Sequence, residues 1–96
     1  MTIDKNRQSI DEIDDKMLEL LNKRAQCAID IGKLKKKQDL PVYDPAREKK
    51  ILGRLIANNP GPLDNRSILT LFERIIDESR RIERQTSDKI ENNNNL

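Results

Sequence analysis

The residues that can carry chemistry in this sequence are cations, carboxylates and hydroxyls. Its 96 residues contain no histidine or tryptophan and a single cysteine, Cys27. This inventory excludes a histidine base, a Cys/His zinc site, a Ser-His-Asp set and an internal disulfide. Lys and Arg number 19 and Asp and Glu 17, so the net charge of +2 does not by itself indicate a polyanionic partner. Any catalysis must therefore rest on charged groups and hydroxyls.

Two cations lie on one side of a long predicted helix. Lys35 follows Arg24 with a net rotation of only about 20° and lies about 16 Å further along the helix axis. Arg7 is in the heptad row of Lys35 but about 25 Å from Arg24, too far to share a small ligand within one chain. In an antiparallel pair of such helices, Arg7 would serve the site of the other chain. Alternatively, each cation simply extends from the edge of an apolar stripe to water.

Hydroxyl and carboxyl groups also lie beside apolar stripes. Ser79 and Glu83 continue the row of Ile76 in steps of three and four, so they point inward one turn apart. A buried carboxylate needs a cation, a donor or a proton, unless this end of the helix is exposed. Glu48 precedes two apolar residues by one turn, beside Arg47, although the helix dipole alone favours a carboxylate in a first turn.

Together these groups predict a cation-rich pocket that suits a small dicarboxylate, because arginine presents paired donors that match carboxylate geometry. The predicted members are Arg7 of one chain with Arg24, Lys35, Arg47, Glu48, Ser79 and Glu83 of the other.

Three helices must position these groups. The first is predicted over residues 4–38 and would be about 50 Å long. The second begins at Asp44, which is followed by proline at the first helical position, and the third begins at Asp64. Segments with proline separate the helices at 39–45 and 58–62. No strand-like alternation of apolar residues is found between these breaks, so the predicted fold class is all-α.

The long first helix cannot bury its apolar stripe against two shorter helices. With 34% hydrophobic residues and two aromatics, the chain is expected to form an intertwined homodimer, in which a second copy covers the stripe. Residues 1–85 would form the helical domain, and the Asn-rich residues 86–96 a disordered, functionally silent tail. The sequence lacks a membrane span and the apolar core of a signal peptide, so we expect a cytoplasmic protein.

Six parts of the sequence occur in an order and spacing typical of one known family. They are Arg7, IDEID at 10–14, LLNKR at 20–24, IGKLK at 31–35, PVYDPARE at 41–48 and FERIIDES at 72–79. Over residues 4–85 the chain thus resembles the all-helical chorismate mutase family, whose members stand alone or are fused to prephenate dehydratase or to the enzyme that opens the shikimate pathway. The resemblance implies an intertwined homodimer with two active sites. It would convert chorismate to prephenate by a Claisen rearrangement in aromatic amino acid biosynthesis.

The resemblance also implies roles for individual side chains. Arg24 and the partner's Arg7 would bind the substrate carboxylates, with Ser79 assisting. Lys35 and Glu83 would donate hydrogen bonds to the ether oxygen of the bond that breaks. The reaction is intramolecular, so we expect neither a metal nor a cofactor. The protein need only hold a compact conformer and stabilise the charge that develops on this oxygen.

The ring hydroxyl would be held by Glu48 and the backbone around Asp44, with Arg47 supporting that corner. Glu83 departs from family members that carry glutamine at this position. A carboxyl donates a hydrogen bond only when protonated, whereas Lys35 favours its ionised form. Our hypothesis is that burial and the substrate's charge keep Glu83 protonated, so that the rate falls as pH rises.

Other functions stay open at this point. Related folds eliminate pyruvate from isochorismate, a near-identical dianion that the same cations would bind, although the full arrangement from Lys35 to Glu48 favours the mutase. A non-catalytic helical dimer with an interaction or regulatory role would make the inward cations dispensable. Nucleic-acid binding by the lysines of 33–37 is not expected, because no aromatic residues are interleaved with them.

Overall fold

The computed structural model describes residues 2–94 as three α-helices. Helix α1 spans Ile3–Lys37, α2 spans Pro45–Asn58 and α3 spans Asn65–Asn94. The described residues contain no strand, so the predicted all-α class is confirmed. Helix α3 packs against both α1 and α2 and therefore forms the centre of the fold. None of the described helices is long and apolar enough to cross a membrane.

Each helix begins where a side-chain oxygen accepts a hydrogen bond from a free N–H of the first turn. Thr2 accepts from Lys5 at 3.1 Å in α1, and Asp44 accepts from the backbone of Arg47 at 3.1 Å in α2. Before α3, Asp64 accepts from the N–H of Ser67 at 2.8 Å. This hydrogen bond stabilises the ionised carboxylate, so it holds the pKa of Asp64 below its usual value. The predicted starts at Asp44 and Asp64 are confirmed.

Helix α1 ends in a turn that directs the chain back toward the helix. Asp39 has a left-handed backbone with φ of 57°. Its N–H donates to the carbonyl of Lys36 at 3.3 Å, and that of Leu40 donates to the carbonyl of Lys35 at 2.8 Å. These two bonds form a Schellman motif, in which aspartate takes the place usually held by glycine. As a result, the carbonyl of Val42 comes within 2.8 Å of the Lys35 ammonium.

Helices α1 and α3 approach closely at Gly32. A Cβ at this position would lie 3.1 Å from the carbonyl oxygen of Glu83 and 3.2 Å from its Cα. Both are backbone atoms, which cannot turn away as a side chain can. Gly32 and Ala28 are the buried residues of α1, and Ile76 is the buried residue of the α3 core. The small residues of α1 therefore allow α3 to lie against its C-terminal half.

The chain remains helical further than the sequence predicted. The disordered tail expected for 86–96 is wrong as far as Asn94, where α3 ends, and residues 95–96 lie outside the described residues. Composition alone overlooked the packing of this segment on α1. Thr86 lies beside Gly32, and Ile90 is half-buried. Glu91 reaches the ammonium of Lys36 at 3.6 Å. The boundary of the functional domain near residue 85 stays a prediction.

The N-terminal half of α1 is uncovered in the single chain. Every residue from 2 to 23 is exposed. This segment carries apolar side chains that face solvent, including Ile3 at 70%, Leu18 at 63% and Leu20 at 61% exposure. Apolar surface of this extent favours association, at about 25 cal/mol for each Å² buried. The predicted homodimer would provide that cover, and it stays a prediction at this stage.

Adding a methyl group at Gly32 should separate α1 from α3. We expect Gly32→Ala to lower the free energy of unfolding by about 1–3 kcal/mol, because the backbone of Glu83 must move. The matched control is Gly53→Ala, because nothing lies within 4 Å of a Cβ there. This control should raise the free energy by about 0.5–1 kcal/mol through helix propensity. Urea unfolding at equal protein concentration measures both, and equal stabilisation by the two variants would contradict the close contact.

Candidate active site

A cavity of about 350 Å³ lies between the three helices, where predicted site residues converge. Seven of the eight predicted residues line it, namely Arg24 and Lys35 of α1, Asp44 before α2, Arg47 and Glu48 of α2, and Ser79 and Glu83 of α3. The eighth, Arg7, does not. The fold thus brings together residues that are up to 59 positions apart in the sequence and that the helical period had assigned to inward faces.

Arg24 forms the cationic wall of the cavity on α1. Its guanidinium donates to the hydroxyl of Ser79, which in turn donates to the carbonyl of Ile75 at 3.0 Å. The hydroxyl is neutral, and within the described residues no carboxylate lies within ion-pair distance of Arg24. A half-buried guanidinium oriented by a neutral acceptor keeps its charge available to an anionic ligand.

Lys35 and Glu83 form an ion pair at the other end of the cavity. The Lys35 ammonium donates to Glu83 Oε2 at 3.1 Å and to the carbonyl of Val42 at 2.8 Å. The two side chains are only 18% and 12% exposed, respectively. An ammonium has three N–H donors, so one remains for a ligand. In this ion pair the carboxylate of Glu83 accepts a hydrogen bond from Lys35.

The sequence did not predict Arg80, which also lines the cavity. Its Nη2 and Nε donate to the two carboxylate oxygens of Glu48 at 2.9 and 3.2 Å, and its guanidinium lies 5.1 Å from the ring centre of Tyr43. The hydrogen bond to Glu48 stabilises the protonated form and raises the pKa of Arg80 above its usual value. One signal was available: Arg80 lies four residues after Ile76 and three before Glu83, on the inward face of α3.

Asp44 and Arg47 lie at the α2 side of the cavity, as the sequence predicted. The carboxylate of Asp44 caps α2 by accepting from the backbone N–H of Arg47, so this side chain is already engaged. The side chain of Arg47 is exposed, although it reaches the cavity wall. The cation paired with Glu48 is Arg80 and not the adjacent Arg47.

Arg7 lies on the uncovered half of α1, outside the cavity. At 1.5 Å per residue along this helix, it is about 25 Å from Arg24. A single chain therefore does not bring Arg7 to the site.

The cavity combines excess positive charge with internally paired carboxylates. Glu48 and Glu83 each have a cation, and Asp44 caps a helix, which leaves Arg24 and Arg47 for an anionic ligand. Among residues 2–94, no group of His, Cys, Asp and Glu side chains could hold a metal ion. This arrangement can bind a small dianion and donate a hydrogen bond to it from Lys35.

Comparisons with known proteins agree on one family. The family model for chorismate mutase type II matches residues 6–84. A bifunctional chorismate mutase/prephenate dehydratase of Neisseria gonorrhoeae is 43% identical over 79 residues, which are 82% of this chain and 21% of that protein. The chain thus spans about a fifth of the length of such relatives. The chorismate mutase of Methanocaldococcus jannaschii is 30% identical over 92% of this chain and 90% of its own length.

Solved structures give the same result for the fold. The chain is similar to chorismate mutase (form II) of Thermus thermophilus, with a TM-score of 0.84 and 36% identity over 85% of this chain and 93% of that one. It is also similar to chorismate mutase of Helicobacter pylori in complex with prephenate, with a TM-score of 0.80 and 28% identity. These alignments cover 88% of this chain and 91% of the Helicobacter pylori chain.

Proposed function

Because this chain belongs to the chorismate mutase type II family, we propose that it converts chorismate to prephenate. The observation that carries the proposal is the cavity in which Arg24, Lys35 and Glu83 converge. In this rearrangement one C–O bond breaks and one C–C bond forms within the same molecule, and no group leaves. Catalysis then requires a bound, compact conformer and donors for the negative charge that develops on the ether oxygen.

The carboxylates of the dianion would be bound by guanidinium groups. Arg24 is oriented toward the cavity by Ser79, and its charge has no carboxylate partner within the described residues. A bidentate contact with one substrate carboxylate would use its remaining donors. The second carboxylate would be bound by the partner's Arg7.

Lys35 and Glu83 would face the ether oxygen. The free N–H of Lys35 is a charge-assisted donor on a side chain that is only 18% exposed. Its bond to the ether oxygen would be stronger in the transition state than in the ground state. Glu83 pairs with Lys35 at 3.1 Å before substrate enters. When the ether oxygen takes the place of this contact, Glu83 can donate only if it carries a proton. The rate would therefore depend on whether the Glu83 carboxyl is protonated.

The ring hydroxyl would be held at the α2 side of the cavity. Glu48 lines this wall and can accept a hydrogen bond from the hydroxyl. The backbone around Asp44 and the side chain of Arg47 would complete this corner. Because the hydroxyl is present in both substrate and transition state, this contact would contribute mainly to binding.

A homodimer would complete the site. An antiparallel α1 from a second copy would cover the exposed stripe of residues 2–23 and place its Arg7 near the Arg24 of the first chain. A second cavity of about 330 Å³ adjoins this stripe, and Leu21, Ala25, Ile75 and Ile82 are among the residues that line it. The partner helix would fill this apolar surface as well.

Removing the ammonium of Lys35 should abolish most of the activity. We expect Lys35→Ala to lower kcat on the order of 100-fold or more, because a donor to the developing charge is lost. The control is Lys33→Ala, since Lys33 is exposed on the same helix. Loss of chorismate absorbance measures the rate, and circular dichroism checks the fold. Full activity of Lys35→Ala would contradict this role, and salicylate formed from isochorismate instead of prephenate from chorismate would indicate the lyase.

The pH dependence should test the proton on Glu83. The rate of the unaltered protein should fall as pH rises, because the ionised carboxylate beside Lys35 cannot donate to the ether oxygen. Glu83→Gln retains its donor at every pH and should flatten this profile. Glu73→Gln changes an exposed carboxylate of the same helix and should leave the profile unchanged. A profile that Glu83→Gln does not alter would remove Glu83 from the ether contact.

Mixing two inactive variants should test whether sites are shared between copies. Arg7→Ala retains Arg24, and Arg24→Ala retains Arg7, so their heterodimer contains one complete site. An equal mixture refolded together should recover about a quarter of the activity of the unaltered protein, as random pairing dictates. The double variant mixed with an equal amount of the unaltered chain forms no complete site in its heterodimer. This control mixture should therefore keep about a quarter of the activity, from unaltered homodimers alone, instead of the half expected if each chain carried its own site. A mixture as inactive as its components, or a monomeric mass by light scattering, would contradict the shared site.

A further inference from the structure

The guanidinium of Arg80 is held from three sides. It donates to both carboxylate oxygens of Glu48, at 2.9 and 3.2 Å, and to Asp77 at 3.2 Å. The ring of Tyr43 lies against it, with 5.1 Å between the guanidinium carbon and the ring centre. An arginine fixed in this way is poorly placed to turn toward an entering ligand. Its effect on the cavity must therefore pass through the groups that it holds.

Of these groups, Glu48 is the one that lines the cavity. Its side chain is only 24% exposed, and in the described part of the chain Arg80 is the only side chain that donates to it. A carboxylate offers about four lone-pair positions, and the two bonds from Arg80 use two of them. The other two remain for a hydroxyl donor. The two hydrogen bonds from the Arg80 guanidinium thus fix the direction from which Glu48 can accept a further hydrogen bond.

Resting on the function proposed above, we infer that Arg80 is the positioning residue for Glu48. By fixing both oxygens of this carboxylate, it presents them as the acceptor for the ring hydroxyl of chorismate. It also attaches α2 to α3 at the cavity wall, since the two partners come from these two helices. Without Arg80, the carboxylate of Glu48 could still contact the ring hydroxyl but would no longer be held in one orientation. The hydroxyl would then be bound less tightly.

The test is a double-mutant cycle on Arg80 and Glu48 in the full chain, with chorismate as substrate. Arg80→Met should lower kcat/KM about 10- to 100-fold, with most of the change in KM, because the affected contact is made in ground and transition states alike. Arg80→Lys should fall between Arg80→Met and the unaltered protein, since an ammonium restores the charge but not the two-point contact. The matched control is Arg84→Met, an exposed arginine of the same helix, with kinetics close to those of the unaltered protein.

The cycle separates an indirect role from a direct one. If Arg80 acts through Glu48, Arg80→Met should cost no more than about twofold when added to Glu48→Gln. An equal loss in both backgrounds would mean that Arg80 acts independently of Glu48, and unchanged kinetics of Arg80→Met would mean that it has no role. Either result overturns the inference while the proposed function stands. If Arg80→Met fails to fold, the same cycle with Arg80→Lys decides the question. An unaltered protein that is inactive on chorismate would overturn both proposals.

Discussion

The site depends on the close approach of α1 and α3 at Gly32. A side chain there would crowd the backbone of Glu83, whose carboxylate lies 3.1 Å from the ammonium of Lys35. Lys35 lies three residues after Gly32, on the next part of the same helix. A wider gap between the helices would leave a largely buried cation and a largely buried carboxylate without each other, which is strongly unfavourable. The close packing at Gly32 and the ion pair between Lys35 and Glu83 therefore depend on each other.

The parts of the structure that local rules determine could be predicted from the sequence. Proline and capping aspartates set the starts of α2 and α3, because the first-turn N–H groups need an acceptor close by in the chain. The period of 3.6 residues per turn was sufficient to assign Arg24, Lys35, Ser79 and Glu83 to inward faces of α1 and α3, and these two faces meet in one cavity. Such positions follow from rotation along a helix, without any knowledge of how the helices cross.

What the sequence could not supply depends on distances between helices. The helical period places Arg80 on the inward face of α3, but its pairing with Glu48 could not be predicted. Glu48 is 32 residues away, and no local rule favours this pairing over one with the adjacent Arg47. The C-terminal part of α3 was predicted to be disordered from its polarity, yet Thr86 and Glu91 contact α1. Composition reports the average character of a segment, whereas a few contacts with a neighbouring helix can keep it ordered.

The cavity wall is divided between two pairs of helices. The cation and carboxylate that would face the breaking bond lie on α1 and α3, whereas Glu48 lies on α2, which packs on α3 but not on α1 within the described chain. Under the proposed function, substitutions on α2 would change which ring substituents fit while the groups around the bond stay in place. Because of this separation, the choice of substrate could evolve through changes in α2 alone, with the reactive pair on α1 and α3 retained at every stage.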